Sequence, residues 1–502
     1  MTLNFLGLDI GTTGCKAVVF DENLVMLYRA YREYDLTLCE GDGLELDPLI
    51  VWKNVRKVLK EANANVPGVK ALAISAVGDI VIPLSEKGAP IRPSIVDFDP
   101  RGQEEIDSFS REFGAKKLYG ITGMPPLFIN SLSKILWYQR HEPDTFKSVA
   151  RWSTYEDFLL ERLGMPPVAS HSVAARTMLM DIRAKAWSHE VLSAAGIDPA
   201  KLPALLPSGG IVGQLDPEIA EALGFVGETT VCSGGHDMVC AAVGAGLTAD
   251  DTEAAVDIDG TMEGIVVCMK HANTSDVMFE NRYPCYPGYD GYVTFSVNLT
   301  GSSMLKWFRD ELSRDLVSEA LEKEIDVYDL ILKDLNPATP SGLLFLPQWS
   351  GSGNPYFDPN AKGMIYGLTL NTRRRDLAQG LIEGLCYDVN VQLEQFQRAG
   401  IKITKLLCVG GGSRSKSKLQ MKANITGLEM INVPVIEASA LGAAVMAAKG
   451  VGVLSEPLEA IKKAAPNQDR FVPSGAGRRQ FAQSFQNYKE LNRIKHEFEN
   501  KS

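Results

Sequence analysis

The chain is predicted to fold as an α/β protein of two related halves, on three observations. A strand, a tight Gly-Thr turn and a second strand open the sequence at residues 5–20. The same unit returns at residues 254–268. Elsewhere β-branched apolar runs alternate with segments of helical period, as they do when helices cover a central sheet. Self-similarity at so long a period points to an internal duplication.

The elements follow in order. Residues 5–9 form the first strand, 10–14 the turn and 15–20 the second strand, rich in β-branched side chains. Residues 71–77 (ALAISAV) are a further strand. Residues 230–235 are a strand ending on Gly234-Gly235, followed by an apolar helix from about Met238. The polar stretch 247–252 separates the halves, giving expected domains of residues 1–246 and 247–502. In the second half, residues 254–258 and 264–268 flank Asp259-Gly260-Thr261, a helix covers 375–397, and residues 406–411 lead through Gly410-Gly411 into a helix over 419–425. Phe481, Phe485, Tyr488, Leu491 and Phe498 recur at helical spacing, so the tail is an amphipathic helix docked on the second half. Matching Gly235 to Gly411 leaves 223 residues after Thr12 but only 150 after Thr261, and the 73 extra residues are assigned to an insertion that shapes a substrate site.

Composition narrows the function. A net charge of −11 argues against a nucleic-acid binder, which needs a basic face. It leaves room for a polyanion such as ATP, because a nest of backbone N–H groups and a Mg²⁺ ion can hold phosphates. None of the eight cysteines forms a C-x-x-C pair, so reduced core thiols are expected rather than a zinc or disulfide framework. The opening residues MTLNFLGLDIG lack the form of a signal peptide, and no apolar run reaches the roughly 20 residues of a membrane span. A soluble, cytoplasmic protein without nucleic-acid or membrane partners is expected.

No P-loop and no G-x-G-x-x-G occurs. The two Gly-Thr turns offer a different phosphate site. Facing each other across a cleft, their N–H groups and the hydroxyls of Thr12, Thr13 and Thr261 would surround a triphosphate, with Asp9 holding Mg²⁺ through water. A single such turn also reads as an ordinary hairpin. The Gly410-Gly-Gly-Ser413 stretch would turn helix-start N–H groups toward the nucleotide, although such glycines also serve packing. In Gly234-Gly-His-Asp237, a carboxylate beside two glycines at a helix start suits the proton acceptor of phosphoryl transfer to an alcohol. Asp237 also reads as an ordinary helix N-cap, a role compatible with the first. His236 is read as its neighbour, since no second group at fixed spacing marks a relay.

These motifs, in this order, resemble the FGGY carbohydrate kinases, a family that includes xylulokinase, glycerol kinase and erythritol kinase. The resemblance covers nearly the whole chain. It runs through Gly7-Leu-Asp-Ile-Gly-Thr-Thr13, Gly234-Gly-His-Asp237, Asp259-Gly-Thr261 and Lys306-Trp-Phe-Arg309. It continues through Lys362-Gly-Met-Ile-Tyr-Gly-Leu368, Leu381-Ile-Glu-Gly-Leu385, Val409-Gly-Gly-Gly412 and Ala440-Leu-Gly-Ala-Ala444. It implies the actin/hexokinase (ribonuclease H-like) fold, two such domains around a central cleft, with ATP and Mg²⁺ as cofactors. It implies Asp237 as general base and Asp9 as the magnesium-side carboxylate. Gly11, Thr12, Thr13, Gly260 and Thr261 become phosphate contacts, Gly411, Gly412 and Ser415 nucleotide contacts, and Lys16 a basic group near the reacting phosphate. Closure of the domains would exclude water.

The acceptor pocket departs from the better-known members. Xylulokinases carry Met-His, and glycerol kinases Arg-Glu, where this chain has Gly78-Asp79, which looks more like the Gly-Asp of erythritol kinases. The family's Trp-x-Asp-x-Arg reads Asp97-Phe-Asp99-Pro-Arg101, and its Gly-Glu-Arg reads Gly351-Ser-Gly353. Gly78, Asp79, Asp97, Asp99, Arg101 and His236 are thus the candidate substrate contacts. An aromatic platform is lost and carboxylates are gained, which predicts a hydroxyl-rich neutral acceptor and disfavours a sugar acid. Asp79 also reads as a turn residue, and Asp99 with Arg101 as a structural ion pair. The expected function is transfer of the ATP γ-phosphoryl group to a neutral sugar, a ketopentose such as xylulose first and a short polyol such as erythritol as the alternative. An actin-like or chaperone-like ATPase and a catalytically silent sugar sensor are the competing classes. Monomer and homodimer both stay open.

Overall fold

The computed structural model describes residues 3–39, 43–454, 460–461, 464 and 468–499. The first sheet comprises β1 (Asn4–Ile10), β2 (Gly14–Phe20), β3 (Met26–Glu33), β4 (Val69–Ala76), β5 (Ile211–Gln214) and β6 (Thr230–His236), in the order β5-β6-β4-β1-β2-β3. The second comprises β7 (Ala254–Asp259), β8 (Glu263–Met269), β9 (Tyr286–Pro287), β10 (Tyr292–Asn298), β11 (Lys405–Val409), β12 (Glu429–Asn432) and β13 (Arg470–Phe471), in the order β9-β10-β8-β7-β11-β12-β13. Both run antiparallel through their three hairpin strands and parallel through the next two. Superposing the orders pairs β1 with β7, β4 with β11 and β6 with β12, so the duplication holds.

The Gly-Gly match drawn from the sequence does not hold. β11 is the counterpart of β4, and the counterpart of β6 is β12. Both strand ends carry paired glycines, with the backbone crowded at Gly234 and at Gly410, which made unlike positions look alike. On the true correspondence, 153 residues (77–229) separate β4 from β6, against 19 (410–428) between β11 and β12. The first half therefore holds a much larger insertion than residue counting between glycine pairs implied.

Seven helices matter for the site: α1 (Pro48–Asn65), α2 (Asp237–Gly244), α3 (Ser302–Leu312), α4 (Arg374–Arg398), α5 (Lys416–Thr426), α6 (Ala438–Gly450) and α7 (Gly475–Glu499). Asp47 caps α1 by accepting from the Leu49 N–H at 2.8 Å, Pro48 takes the first helical position, and Val51, Val55, Val58, Leu59 and Ala62 form its buried face. The tail helix α7 buries Phe481, Phe485 and Tyr488, stacking the last two near Tyr387 of α4, while Phe498 is largely exposed.

Helix α6 is apolar all round because it is surrounded. It lies on the first sheet, where a Cβ at Gly7 would fall 1.8 Å from the Ala440 carbonyl oxygen. It also packs on α2, where a Cβ at Gly442 would fall 1.8 Å from the Cys240 carbonyl oxygen. Glycine at these close approaches is what lets the backbones meet. The pair α2–α6 brings the carboxyl ends of the parallel strands in both sheets toward one cleft, the usual ligand position in such sheets. No helix among the described residues is long and apolar enough to cross a membrane.

Candidate active site

Two cavities meet at Asp237. One, of about 260 Å³, is walled by residues that include Asp79, Asp97, Asn130, Arg176, His236 and Asp237. The other, of about 300 Å³, is walled by residues that include Asp9, Lys16, Asp237, Gly260, Gly410 and Glu437. A carboxylate between a pocket of acceptor size and a cleft lined by both Gly-Thr hairpins is the geometry that transfer between two bound molecules requires.

Asp237 begins α2 but does not cap it, and no side-chain cap bond is formed there. Its position is set by β6, whose close approach to β4 is possible only at a glycine, since a Cβ at Gly234 would fall 1.7 Å from the Ile74 carbonyl oxygen. The insertion holds this strand from the other side. Glu156 accepts from the Gly234 N–H at 2.9 Å, and Ser172 Oγ accepts from the His236 N–H at 3.0 Å. Asp237 Oδ1 is buried and faces His236 Nε2, while the rest of the side chain opens to the cleft. Desolvation by the cleft walls, then the charge of Asp9, pushes the Asp237 carboxyl up to about 7.

His236 has the second group that its sequence neighbourhood did not show. Its Nδ1 lies 2.9 Å from the Tyr286 hydroxyl, and its Nε2 lies 3.2 Å from Asp237 Oδ1. Burial, then the nearby Arg176 guanidinium, holds its pKa well below the usual histidine range, so the ring is neutral. With the proton on Nε2, Tyr286 donates to Nδ1 and the imidazole N–H faces the carboxylate. Tyr286 comes from the second sheet, which is why no spacing near His236 pointed to it.

The acceptor cavity is built differently from expectation. Asp79 is not an open carboxylate: Arg176 Nη2 lies 2.7 Å and Nε 3.2 Å from its Oδ2, and Asn130 Nδ2 donates to its Oδ1 at 3.2 Å. The Arg176 guanidinium in turn sits over Tyr286 and Phe295, 5.5 and 5.1 Å from the ring centres. This pairing cancels the Asp79 part of the charge from which repulsion of a sugar acid was argued, leaving that of Asp97, and Arg282 also stands on the wall. Asp97 keeps a buried oxygen without a partner among the described residues, and burial, then the charge of Asp79, pushes its carboxyl up to about 6. The lost tryptophan does not leave the cavity without aromatic surface, because Phe98, Phe128, Phe295 and Phe357 line it. Gly78 is buried against Arg176 and His236, each of which would lie 2.6 Å from a Cβ there, so it admits those side chains. Asp99 and Arg101 form an ion pair (Nη2–Oδ2 2.8 Å) that also engages Glu45 and the Leu44 N–H, outside the cavity wall. For this pair the structural alternative describes the geometry.

In the second cavity, register pairs Asp9 with Lys16. Asp9 accepts from Ser75 Oγ at 2.8 Å, and burial raises its pKa against the opposing pull of Lys16. Lys16 Nζ reaches Glu437 Oε2 at 2.8 Å and Asp9 Oδ2 at 3.8 Å, and Arg29 Nε reaches Glu437 Oε1 at 2.6 Å. Glu437, just before α6, went unnoticed in the sequence, where its signal was a charge abutting the Ala440-Leu-Gly-Ala-Ala run. The glycine N–H groups of both turns are spent internally, Gly11 on the Gly14 carbonyl and Gly260 on the Met262 carbonyl, each at 3.0 Å. Thr12 is half-exposed and Thr13 and Thr261 are exposed, and none of the three stands on the wall of the second cavity. Gly411 is exposed with open space around it, whereas Gly412 abuts the Asp259 carboxylate. A 3₁₀ turn, residues Gly411–Arg414, precedes α5, so the helix starts at Lys416 rather than at the glycines. Ser415 is its N-cap, accepting from the Lys418 N–H at 3.3 Å.

Comparison with known proteins agrees with this architecture. Residues 4–244 match the N-terminal domain, and residues 260–451 the C-terminal domain, of the FGGY family of carbohydrate kinases. A xylulose kinase of Staphylococcus xylosus is 26% identical over 450 residues, covering 89% of this chain and 90% of that protein. A gluconokinase of Bacillus subtilis is 28% identical over 459 residues, covering 90% of this chain and 88% of that protein. The crystal structure of a gluconate kinase from Lactobacillus acidophilus superposes with a TM-score of 0.87 at 21% identity, covering all of both chains.

Proposed function

The chain belongs to the FGGY family of carbohydrate kinases, and from that premise we propose that it phosphorylates a neutral ketopentose such as xylulose, with Asp237 as general base. It is an ATP-dependent sugar phosphotransferase. The observation that carries the proposal is the place of Asp237 on the shared wall of the acceptor cavity and the phosphate cleft. An acceptor hydroxyl there loses its proton to Asp237 as the phosphoryl group arrives, and His236 orients the carboxylate. Asn130 and Asp97 line the acceptor cavity and each carries a buried oxygen without a partner among the described residues, which further hydroxyls of a sugar would satisfy. The aromatic wall suits the C–H faces of such a molecule.

Thr12, Thr13, Thr261 and Gly411 border the triphosphate in this reading, and Lys16 exchanges Glu437 for phosphate oxygens. Magnesium takes one or two carboxylates and keeps waters and phosphate oxygens as its other ligands, which a single Asp9 satisfies. Bound as Mg·ATP, the nucleotide supplies the phosphoryl group with part of its charge neutralised. Division into domains 1–246 and 247–502 and a cytoplasmic location belong to the same proposal. An ATP-consumption assay over ketopentoses, short polyols and gluconate tests it. A ketopentose should give the highest kcat/KM; gluconate ranking first, or no response to any neutral sugar or polyol, would overturn the acceptor assignment.

A further inference from the structure

Beneath the second Gly-Thr turn lies a cluster of five charged side chains closed off from solvent. Asp257, Asp259, Glu263, Lys418 and Lys422 are each 0% exposed. Lys418 Nζ is 2.5 Å from Asp259 Oδ2. Lys422 Nζ bonds Asp257 Oδ2, and lies 2.6 Å from Glu263 Oε1 and 3.7 Å from Asp259 Oδ2. Strand alternation puts Asp257 and Asp259 on one face of β7, and the four-residue step puts Lys418 and Lys422 on one face of α5. Burying five ions costs hydration that their pairing barely returns, and apolar side chains of similar volume would serve stability as well. What the ions add is geometry.

Asp259 and Glu263 are the two feet of the turn, opposite each other in the β7–β8 ladder. The Asp259 carboxylate also accepts from Ser302 Oγ at 3.3 Å, at the start of α3, and fills the space over Gly412, where a Cβ would fall 2.0 Å from its Oδ1. The turn and α3 are further tied by the Ser302 N–H to the Gly260 carbonyl at 2.8 Å. Three carboxylates face two ammonium groups, and burial pushes the Glu263 carboxyl up to about 7, so the cluster can close without net charge near neutrality. One anchored carboxylate therefore sets the distance between the 260–262 turn and the 410–412 turn, both beside the phosphate cleft.

We propose that Lys418, backed by Lys422, is a positioning residue for the nucleotide: by anchoring Asp259 it fixes the spacing of the two turns that a triphosphate must bridge. This rests on reading the cleft as a nucleotide site. The test is calorimetric binding of a non-hydrolysable ATP analogue with Mg²⁺, alongside thermal melting, for the unaltered chain, Lys418→Met, and Lys418→Met combined with Asp259→Asn. The single variant should bind the analogue about 10–100-fold more weakly while still melting cooperatively above the assay temperature. The double variant, which removes the stranded charge, should regain melting temperature but not affinity. If the single variant does not fold, the double variant decides alone. Affinity within about twofold of the unaltered chain in either folded variant would reduce the cluster to a structural one and overturn the proposal. No binding by the unaltered chain would instead sink the nucleotide-site reading itself.

Discussion

At the scale of single residues, the site depends on which charges are paired and which are left open. Asp237 has its Oδ1 buried beside His236 Nε2 while the rest of the carboxylate opens to the cleft, and an oxygen open to the acceptor is the property a base needs. Asp237→Asn should lower kcat by roughly 10²–10⁴-fold with analogue binding retained, measured by sugar-dependent ATP turnover and calorimetry. Because the base works only when ionised and its carboxyl is pushed up to about 7, kcat/KM should fall about tenfold per pH unit on the acid side of that value. An acid limb centred near the ordinary carboxylate range would contradict the placement. Arg176 is the opposite case, a buried cation spent on Asp79. Arg176→Met strands that carboxylate and should cost about 3–5 kcal/mol of stability in denaturant unfolding. The Gly-Gly-His-Asp turn that carries Asp237 was legible in the sequence. Arg176 was not, because nothing in its neighbours along the chain marks a side chain whose partner lies 97 residues away.

At the scale of elements, period and turn chemistry carried most of the information. The strands around both Gly-Thr turns, the long helix Arg374–Arg398 and the buried stripe of α7 all follow from spacing that the sequence displays. The equivalence of elements did not follow, since paired glycines end β-strands for more than one reason and the order within a sheet is set by pairing partners. Contacts between helices were hidden for the same reason. Gly442 allows α6 to touch α2, so Gly442→Ala, favourable for an isolated helix by about 1 kcal/mol, should here lower stability by about 1–3 kcal/mol, read as a drop in melting temperature. An unchanged or raised melting temperature would mean that the helices separate without penalty. The lysine pair on α5 and the acidic pair on β7 were also visible as spacings, but a pair of like charges normally marks a solvated face. Only the packing shows them turned inward.

At the scale of the whole molecule, two sheets of one plan share a cleft, and the groups that meet there come from both. Closure on the two substrates should shrink the radius of gyration in small-angle scattering when ATP analogue and acceptor are added together; an unchanged value would argue against water exclusion by closure. The sequence by itself determined the α/β class, the duplication and the two Gly-Thr turns, because each is written in contiguous residues whose conformation is a local matter. Only the tertiary structure decided which charges are free. Burial and pairing join segments far apart in the chain, so Asp79 turned out to be neutralised by Arg176, Asp99 to be held by Arg101 and the Leu44 N–H, and His236 to be backed by Tyr286. The acceptor pocket is accordingly less acidic and more aromatic than its own residues suggested one at a time, since the charge of a site is settled by everything that packs around it.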